Sequence, residues 1–318
     1  MPTRLDSLAA SSTIVADTGE IDLIERFRPE DCTTNPSLLL KAARCGDYEA
    51  LVDEAIAWGR GRGSSRDDRL ALIMDRLAVT FGSRLARLVP GRVSTEVDAA
   101  LSFNTEATVA KAEGLISLYE DLGVGRERVL IKIAATWEGV QAAGHLQRSG
   151  IDCNMTLIFS KAQAVASAEA GAFLISPFVG RITDWYRNAE GRDYSAEEDP
   201  GVNSVRDIYQ YFKAHGLGTV VMAASFRSRA QIEALAGCDR LTIAPALLDE
   251  LAGLEGDVQR RLDPLAAATL PVARMDVSEP AFRWQLNQDA MATEKLAEGI
   301  RRFHDDGQAL TRYLAERL

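Results

Sequence analysis

Lysine is scarce in this 318-residue chain: Lys41, Lys111, Lys132, Lys161, Lys213 and Lys295 are the only six among 36 lysines and arginines. Histidine is scarcer. His145, His215 and His304 are scattered, and no His, Cys and carboxylate cluster falls at ligand spacing, so no metal site is expected. The four cysteines, Cys32, Cys45, Cys153 and Cys238, include no CxxC pair. Reduced thiols, mostly small and buried, in a cytoplasmic protein fit that usage. Positive charge is in deficit, with a formal net charge of −10 and a pI near 5.0. That argues against a nucleic-acid partner, whose phosphates need a basic surface. It leaves open a phosphorylated small molecule, which needs only one or two local arginines. No stretch approaches the roughly 20 apolar residues of a membrane span, so no membrane partner is expected. The N-terminal segment lacks the apolar core of a secretory signal and reads as mature protein. Neither GxGxxG nor GxxxxGK[ST] occurs, which leaves nucleotide binding without support, and no GxSxG elbow is present.

What is there is an alternation. With 47% hydrophobic and 26% charged residues the composition is globular. Eight short β-rich runs recur: STIVAD (12–17), EDCTTN (30–35), GRVSTEVD (91–98), VLIKIAA (129–135), IDCNMTLIF (151–159), AFLISPF (172–178), TVVMAAS (219–225) and RLTIAPA (240–246). Several are almost wholly apolar, as strands covered on both faces should be. Helical spacing fills the intervals over Thr105–Asp121, Trp137–Ser149 and Ser160–Ala170, and again over Leu247–Leu254 and Ala290–Leu318. Strand alternating with helix predicts a parallel sheet. Eight strands without a dinucleotide fingerprint favour closure into a single-domain (β/α)8 TIM barrel over 1–318, with extra helices. The segment 59–69 is expected to be a surface loop between two helices. The polar segment 188–201, after the sixth strand, is either a lid over the active-site face or an ordinary solvated loop.

The chemistry-bearing residues interrupt the strands. Lys132 alone among the lysines sits inside an apolar run. Desolvation favours an uncharged amine, the form that attacks a carbonyl, while a buried salt bridge is the equal alternative. Asp17 and Glu96 close their strands where a barrel delivers catalytic side chains, and carboxylates can carry the proton transfers of imine chemistry. Asn35, Asn154, Thr156 and Ser176 also sit in or at the ends of strands. Asn154 and Thr156 share one face at i, i+2. Such a ring suits sugar hydroxyls, although each residue alone is more often structural. Arg181, Ser225 and Arg227 follow the sixth and seventh strands and make either a phosphate clamp or surface salt bridges.

Taken together the phrases VADTG (15–19), TTNPSLLL (33–40), LVPGRVSTEVDA (88–99), VLIKIAATWEG (129–139), NMTLIFS (154–160), FLISPFVGRITDWY (173–186), EDPGV (198–202), ASFR (224–227), CDRLTIAPALL (238–248) and WQLNQDAMATEKLAEGIRRF (284–303) closely resemble the transaldolase family over essentially the whole chain. The resemblance implies a class I aldolase-type barrel, a homodimer, and transfer of a dihydroxyacetone unit between sugar phosphates in the non-oxidative pentose phosphate pathway. No cofactor is implied, because a protonated imine is its own electron sink. By position, Lys132 would form the Schiff base. Glu96 and Thr156 would hold a water between acid and amine, and Asp17 would take the substrate hydroxyl proton. Asn35, Asn154 and Ser176 would hold the dihydroxyacetone part, and Arg181, Ser225 and Arg227 the phosphate. The rivals are a related aldolase that releases free dihydroxyacetone and a sugar-phosphate binding protein without turnover.

Overall fold

The computed structural model describes residues 2–318. Each of the eight β-rich runs contains one strand: β1 (Thr13–Asp17), β2 (Asp31–Thr33), β3 (Val93–Glu96), β4 (Val129–Ala134), β5 (Cys153–Ile158), β6 (Leu174–Pro177), β7 (Val220–Ala223) and β8 (Arg240–Ile243). All pair in parallel in sequence order, and β8 returns to β1 to close the barrel. Every residue of β4 and β5 is buried, which explains their near-continuous apolar character.

The period of two along a strand explains how one barrel can be both a packed core and a reaction vessel. Val15, Leu130, Leu174 and Met222 form an apolar cluster from β1, β4, β6 and β7. Two residues further along the first three of these strands stand Asp17, Lys132 and Ser176. Side chains at i and i+2 share a face, so the polar layer sits directly above a dry floor. Below the floor, ion pairs close the opposite end: Asp31 with Arg240, and Arg92 with Asp152 at 2.7 Å.

The loops above the barrel are held by helix caps. A helix start leaves N–H groups without partners, and a side-chain oxygen just before it satisfies one. Asn35 caps Pro36–Arg44, with proline at the first turn where its missing N–H costs nothing. Thr136 caps Trp137–Arg148 and Ser160 caps Lys161–Glu169, both straight after a strand. The helix expected over Thr105–Asp121 has those same ends. Segment 59–69 does bridge two helices, Glu49–Gly59 and Arg66–Ala86, although it contributes residues to both. No helix among the described residues is long and apolar enough to cross a membrane.

The last long helix, Ala290–Ala315, folds back across the top, against Pro36–Arg44, Gly180–Glu190 and β5. It comes close to β5 at Gly299. A Cβ there would stand 2.7 Å from a Leu157 methyl, and Leu157 itself takes a left-handed φ of 55° where β5 bulges against β6.

All four cysteines are free, and Cys32, Cys153 and Cys238 are buried. Burial pushes the Cys32 and Cys238 thiols up to about 12, and it also raises Cys153. Native protein titrated with a thiol-specific disulfide reagent at pH 8 should therefore show fast reaction at Cys45 alone, the half-exposed thiol. The other three should react only after unfolding. Rapid labelling of all four in folded protein would contradict this packing.

Candidate active site

β3 and β4 pair with Glu96 opposite Lys132, and this register sets the centre of the site. Lys132 is 4% exposed. Its Nζ lies 3.2 Å from Glu96 Oε2 and donates to the Thr34 carbonyl at 3.3 Å. The contact with Glu96 is a charge contact rather than an aligned hydrogen bond, since Glu96 Oε2 has no hydrogen-bond partner in the protein. The family resemblance implies a water between acid and amine; in the structure the two groups are in direct contact. Burial raises the Glu96 carboxyl above its ordinary range, against the opposing pull of Lys132.

Around this pair the strands deliver a polar ring. Thr33 Oγ1 donates to Asp17 Oδ1 at 2.9 Å and lies 3.1 Å from the Thr242 hydroxyl. Ser176 Oγ donates to Asn154 Oδ1 at 2.7 Å, and Asn154 Nδ2 donates to Ser94 Oγ at 3.1 Å. Asn154 is fully buried, and this chain fixes its amide orientation. Thr156, also fully buried, has a hydroxyl without a protein partner. Asn35 faces the same cavity, but its oxygen is committed to capping through Leu38 N–H at 2.9 Å. Only its NH2 group remains free to meet a ligand.

Two arginines guard one side. Backbone bonds join the loops after β6 and β7: Val179 N–H to the Ala224 carbonyl and Gly180 N–H to the Ser225 carbonyl, both at 2.8 Å. Only glycine fits at 180, because a Cβ would stand 2.4 Å from the Ser225 oxygen. Ser225 adopts a left-handed φ of 62°, a conformation disfavoured for a residue with a Cβ. This knot brings Arg181 and Arg227 to one cavity. Arg227 is anchored by Asp184 at 2.9 Å and donates to Ser225 Oγ at 3.3 Å. Arg181 forms no ion pair among the described residues. Its guanidinium lies over the rings of Phe178 at 5.0 Å and Phe303 at 5.6 Å. Burial, then Arg302 and Arg227 nearby, lower its proton affinity. A cation so placed favours an anionic ligand.

The resulting cavity, about 170 Å³, is lined by Asp17, Asn35, Lys132, Ser176, Arg181, Ser225 and Arg227 among others. Seven of the ten residues singled out in the sequence therefore share one wall. Asn154 stands just behind Ser176, Glu96 behind Lys132, and Thr156 opposite Ala134 on β4. Segment 188–201 does not line the cavity. Its first residues complete the helix Gly180–Glu190, and Pro200 begins Pro200–Ala214. It joins two helices rather than leaving a strand end directly.

Four residues of the site, Thr33, Thr242, Asp184 and Phe303, are not among those singled out in the sequence. Thr242 interrupts an apolar strand as Lys132 does, so the same signal was present. Phe303 had none, because its helix face reads as ordinary core.

A closed parallel barrel that gathers ionisable side chains at the C-terminal ends of its strands is a (β/α)8-barrel enzyme architecture. The sequence profile described as Transaldolase/Fructose-6-phosphate aldolase matches residues 14–314. A transaldolase of Rhizobium etli is 58% identical over 306 residues, covering 96% of this chain and 95% of that one. One from Agrobacterium fabrum is 57% identical at the same coverage, and one from a Marinomonas species is 54% identical over all of both chains. The chain belongs to the transaldolase/fructose-6-phosphate aldolase family.

Phe303, buried against Phe178 and Arg181, ties the last helix to the barrel top. Phe303→Ala should lower unfolding stability by about 3–5 kcal/mol, the usual loss for a buried phenylalanine, in urea denaturation followed by circular dichroism. An unchanged midpoint would show that the helix is not docked through this ring.

Proposed function

We propose that this enzyme moves a dihydroxyacetone unit from sedoheptulose 7-phosphate to glyceraldehyde 3-phosphate through a Schiff base on Lys132, giving erythrose 4-phosphate and fructose 6-phosphate. One observation carries the reading. The only lysine buried inside a strand opens onto a cavity that also holds a carboxylate, Asp17, and an arginine without a carboxylate partner, Arg181. A hidden nucleophilic amine, a base and an anion site are the three parts this reaction needs.

The steps follow from the contacts. Glu96, with its raised proton affinity, takes the Lys132 proton across their 3.2 Å contact, and the free amine attacks the ketone carbon. The resulting carbinolamine loses its hydroxyl as water when Glu96 returns that proton, and the nitrogen lone pair closes the imine. Glu96 Oε2 and Thr156 Oγ1, both free of protein partners, would steady that water. Asp17 then removes the C4 hydroxyl proton. The C3–C4 bond breaks, its electrons flow to the imine nitrogen, and the aldose phosphate departs. The enamine left on Lys132 attacks the acceptor aldehyde, Asp17 returns its proton to the new alkoxide, and water releases the product ketose. Ser176, Asn154 and the Asn35 amide would hold the three-carbon fragment. Arg181, Arg227 and Ser225 would take the phosphate.

The family also includes fructose-6-phosphate aldolases, which would release free dihydroxyacetone. Relatives named transaldolase at 54–58% identity favour transfer. Place in the non-oxidative pentose phosphate pathway, a single-domain organisation, a cytoplasmic location and a homodimer belong to the same reading. Light scattering of the purified protein tests the dimer.

Borohydride added with fructose 6-phosphate should fix a reduced three-carbon adduct on the peptide containing Lys132. Lys132→Met should abolish both adduct and turnover, and normal sugar turnover by that variant would sink the mechanism. Asp17→Asn should still trap the full six-carbon ketose while slowing cleavage by roughly a hundredfold or more, the scale of a lost general base.

A further inference from the structure

A second cavity, about 440 Å³, lies behind the first, between the helices Arg66–Ala86 and Ala290–Ala315 and the end of β3. The two cavities meet at one ion pair. Lys132 lines the front cavity and not the rear one; Glu96 lines the rear cavity and not the front one. The two residues stand 3.2 Å apart, one on each side. The rear wall is polar where it leaves Glu96, with Asp98 and the ion pair of Lys111 with Asp75 at 2.7 Å. Glu96 Oε2, which faces Lys132, is buried without a hydrogen-bond partner. Leu70, Met74 and Leu115 make much of the remaining wall apolar, and water, at about 30 Å³ per molecule, finds polar partners at the end formed by Glu96, Asp98 and Lys111.

The geometry points to this rear cavity as the water route of the Schiff-base chemistry, and the inference rests on the reading given above. The stoichiometry requires such a route. Each imine that forms breaks one C–O bond and expels one water, carrying the proton supplied by Glu96. Each imine that is hydrolysed consumes one water, whose proton Glu96 takes back. At both moments a sugar phosphate fills the smaller front cavity, with its phosphate on Arg181 and Arg227. Water leaving or reaching the imine carbon through the front would have to pass the bound sugar. Through the rear it meets Glu96, the one residue of the reaction that lines this cavity.

The cavity can be filled without touching a residue of the reaction. Gly307 lines it, and a Cβ placed there has nothing within 4 Å. Ala71, exposed on the other helix, lines it as well. In water enriched in oxygen-18, the full chain should exchange the C2 oxygen of fructose 6-phosphate, read by mass spectrometry. Gly307→Leu and Ala71→Phe should each slow that exchange by roughly tenfold, with the KM for fructose 6-phosphate and the thermal midpoint unchanged. A folded variant of either kind that exchanges at the parent rate overturns the route. So does a slowing matched by an equal rise in KM, which would place the effect in the front cavity. If Gly307→Leu fails to fold, Ala71→Phe decides alone, since its side chain starts from an exposed position. Absence of exchange in the parent protein would instead refute the Schiff base itself, and the two failures are therefore distinct.

Discussion

Two opposite charges buried side by side, Lys132 and Glu96, are the constraint around which the barrel is arranged. Removing each from water costs several kcal/mol, and attraction recovers this only where geometry is good and the remaining donors and acceptors are satisfied. Here they are not all satisfied. The ammonium has one carbonyl, that of Thr34, and the carboxylate oxygen facing it has no aligned donor. Under the proposed chemistry, one proton moving from nitrogen to oxygen removes both charges at once. Burial raises the Glu96 carboxyl in the direction that step needs. The dry layer of Val15, Leu130, Leu174 and Met222 beneath it keeps water from solvating the ions from below.

The anion side solves the opposite problem. The chain as a whole is strongly acidic, yet its cavity rim carries Arg181 and Arg227 with Arg302 close behind. The two lining arginines are held differently. Arg227 is bound to Asp184, which fixes its plane and half neutralises it. Arg181 rests on two aromatic faces, which hold a guanidinium in place while leaving its N–H fork without an anion. The first arginine positions, and the second keeps most of its attraction for a ligand. Local placement thus overrides net charge, as the short range of screened electrostatics requires.

The strands were legible because a strand buried on both faces tolerates few polar residues, and several of the exceptions mark positions on the inner face. Lys132 in VLIKIAA, Asn154 and Thr156 in IDCNMTLIF, and Ser176 in AFLISPF were all readable on that ground. The caps were readable too, but their consequence was not: Asn35 spends its oxygen on the helix it starts, which the sequence alone cannot apportion between cap and ligand. Contacts made by distant segments left no local trace. The direct approach of Glu96 to Lys132 is set by the register of β3 on β4. Phe303 reaches the site on the last helix, which lies against Leu157 at Gly299. Segment 188–201 has the composition of a loop, but helix ends fall inside it, because Gly191 at a left-handed φ terminates one helix and Asp199 caps the next.

Under the proposed chemistry, the choice between transfer and simple release does not turn on keeping water from Lys132. Water must reach the imine once in every cycle, whichever product leaves. The three-carbon intermediate is safe for another reason. As an enamine it has no electrophilic carbon at C2, and hydrolysis must wait until C3 gains either a proton or a new aldehyde. The nearest proton then sits on Asp17, just taken from the departing hydroxyl. One oxygen of that carboxyl is already held by the Thr33 hydroxyl, itself beside Thr242. The freedom left to the proton is therefore narrow, and a carboxyl aimed at an incoming aldehyde oxygen is poorly placed to swing to C3. Under the proposed chemistry, the threonine pair behind Asp17 would favour passing the fragment on by holding that proton away from C3.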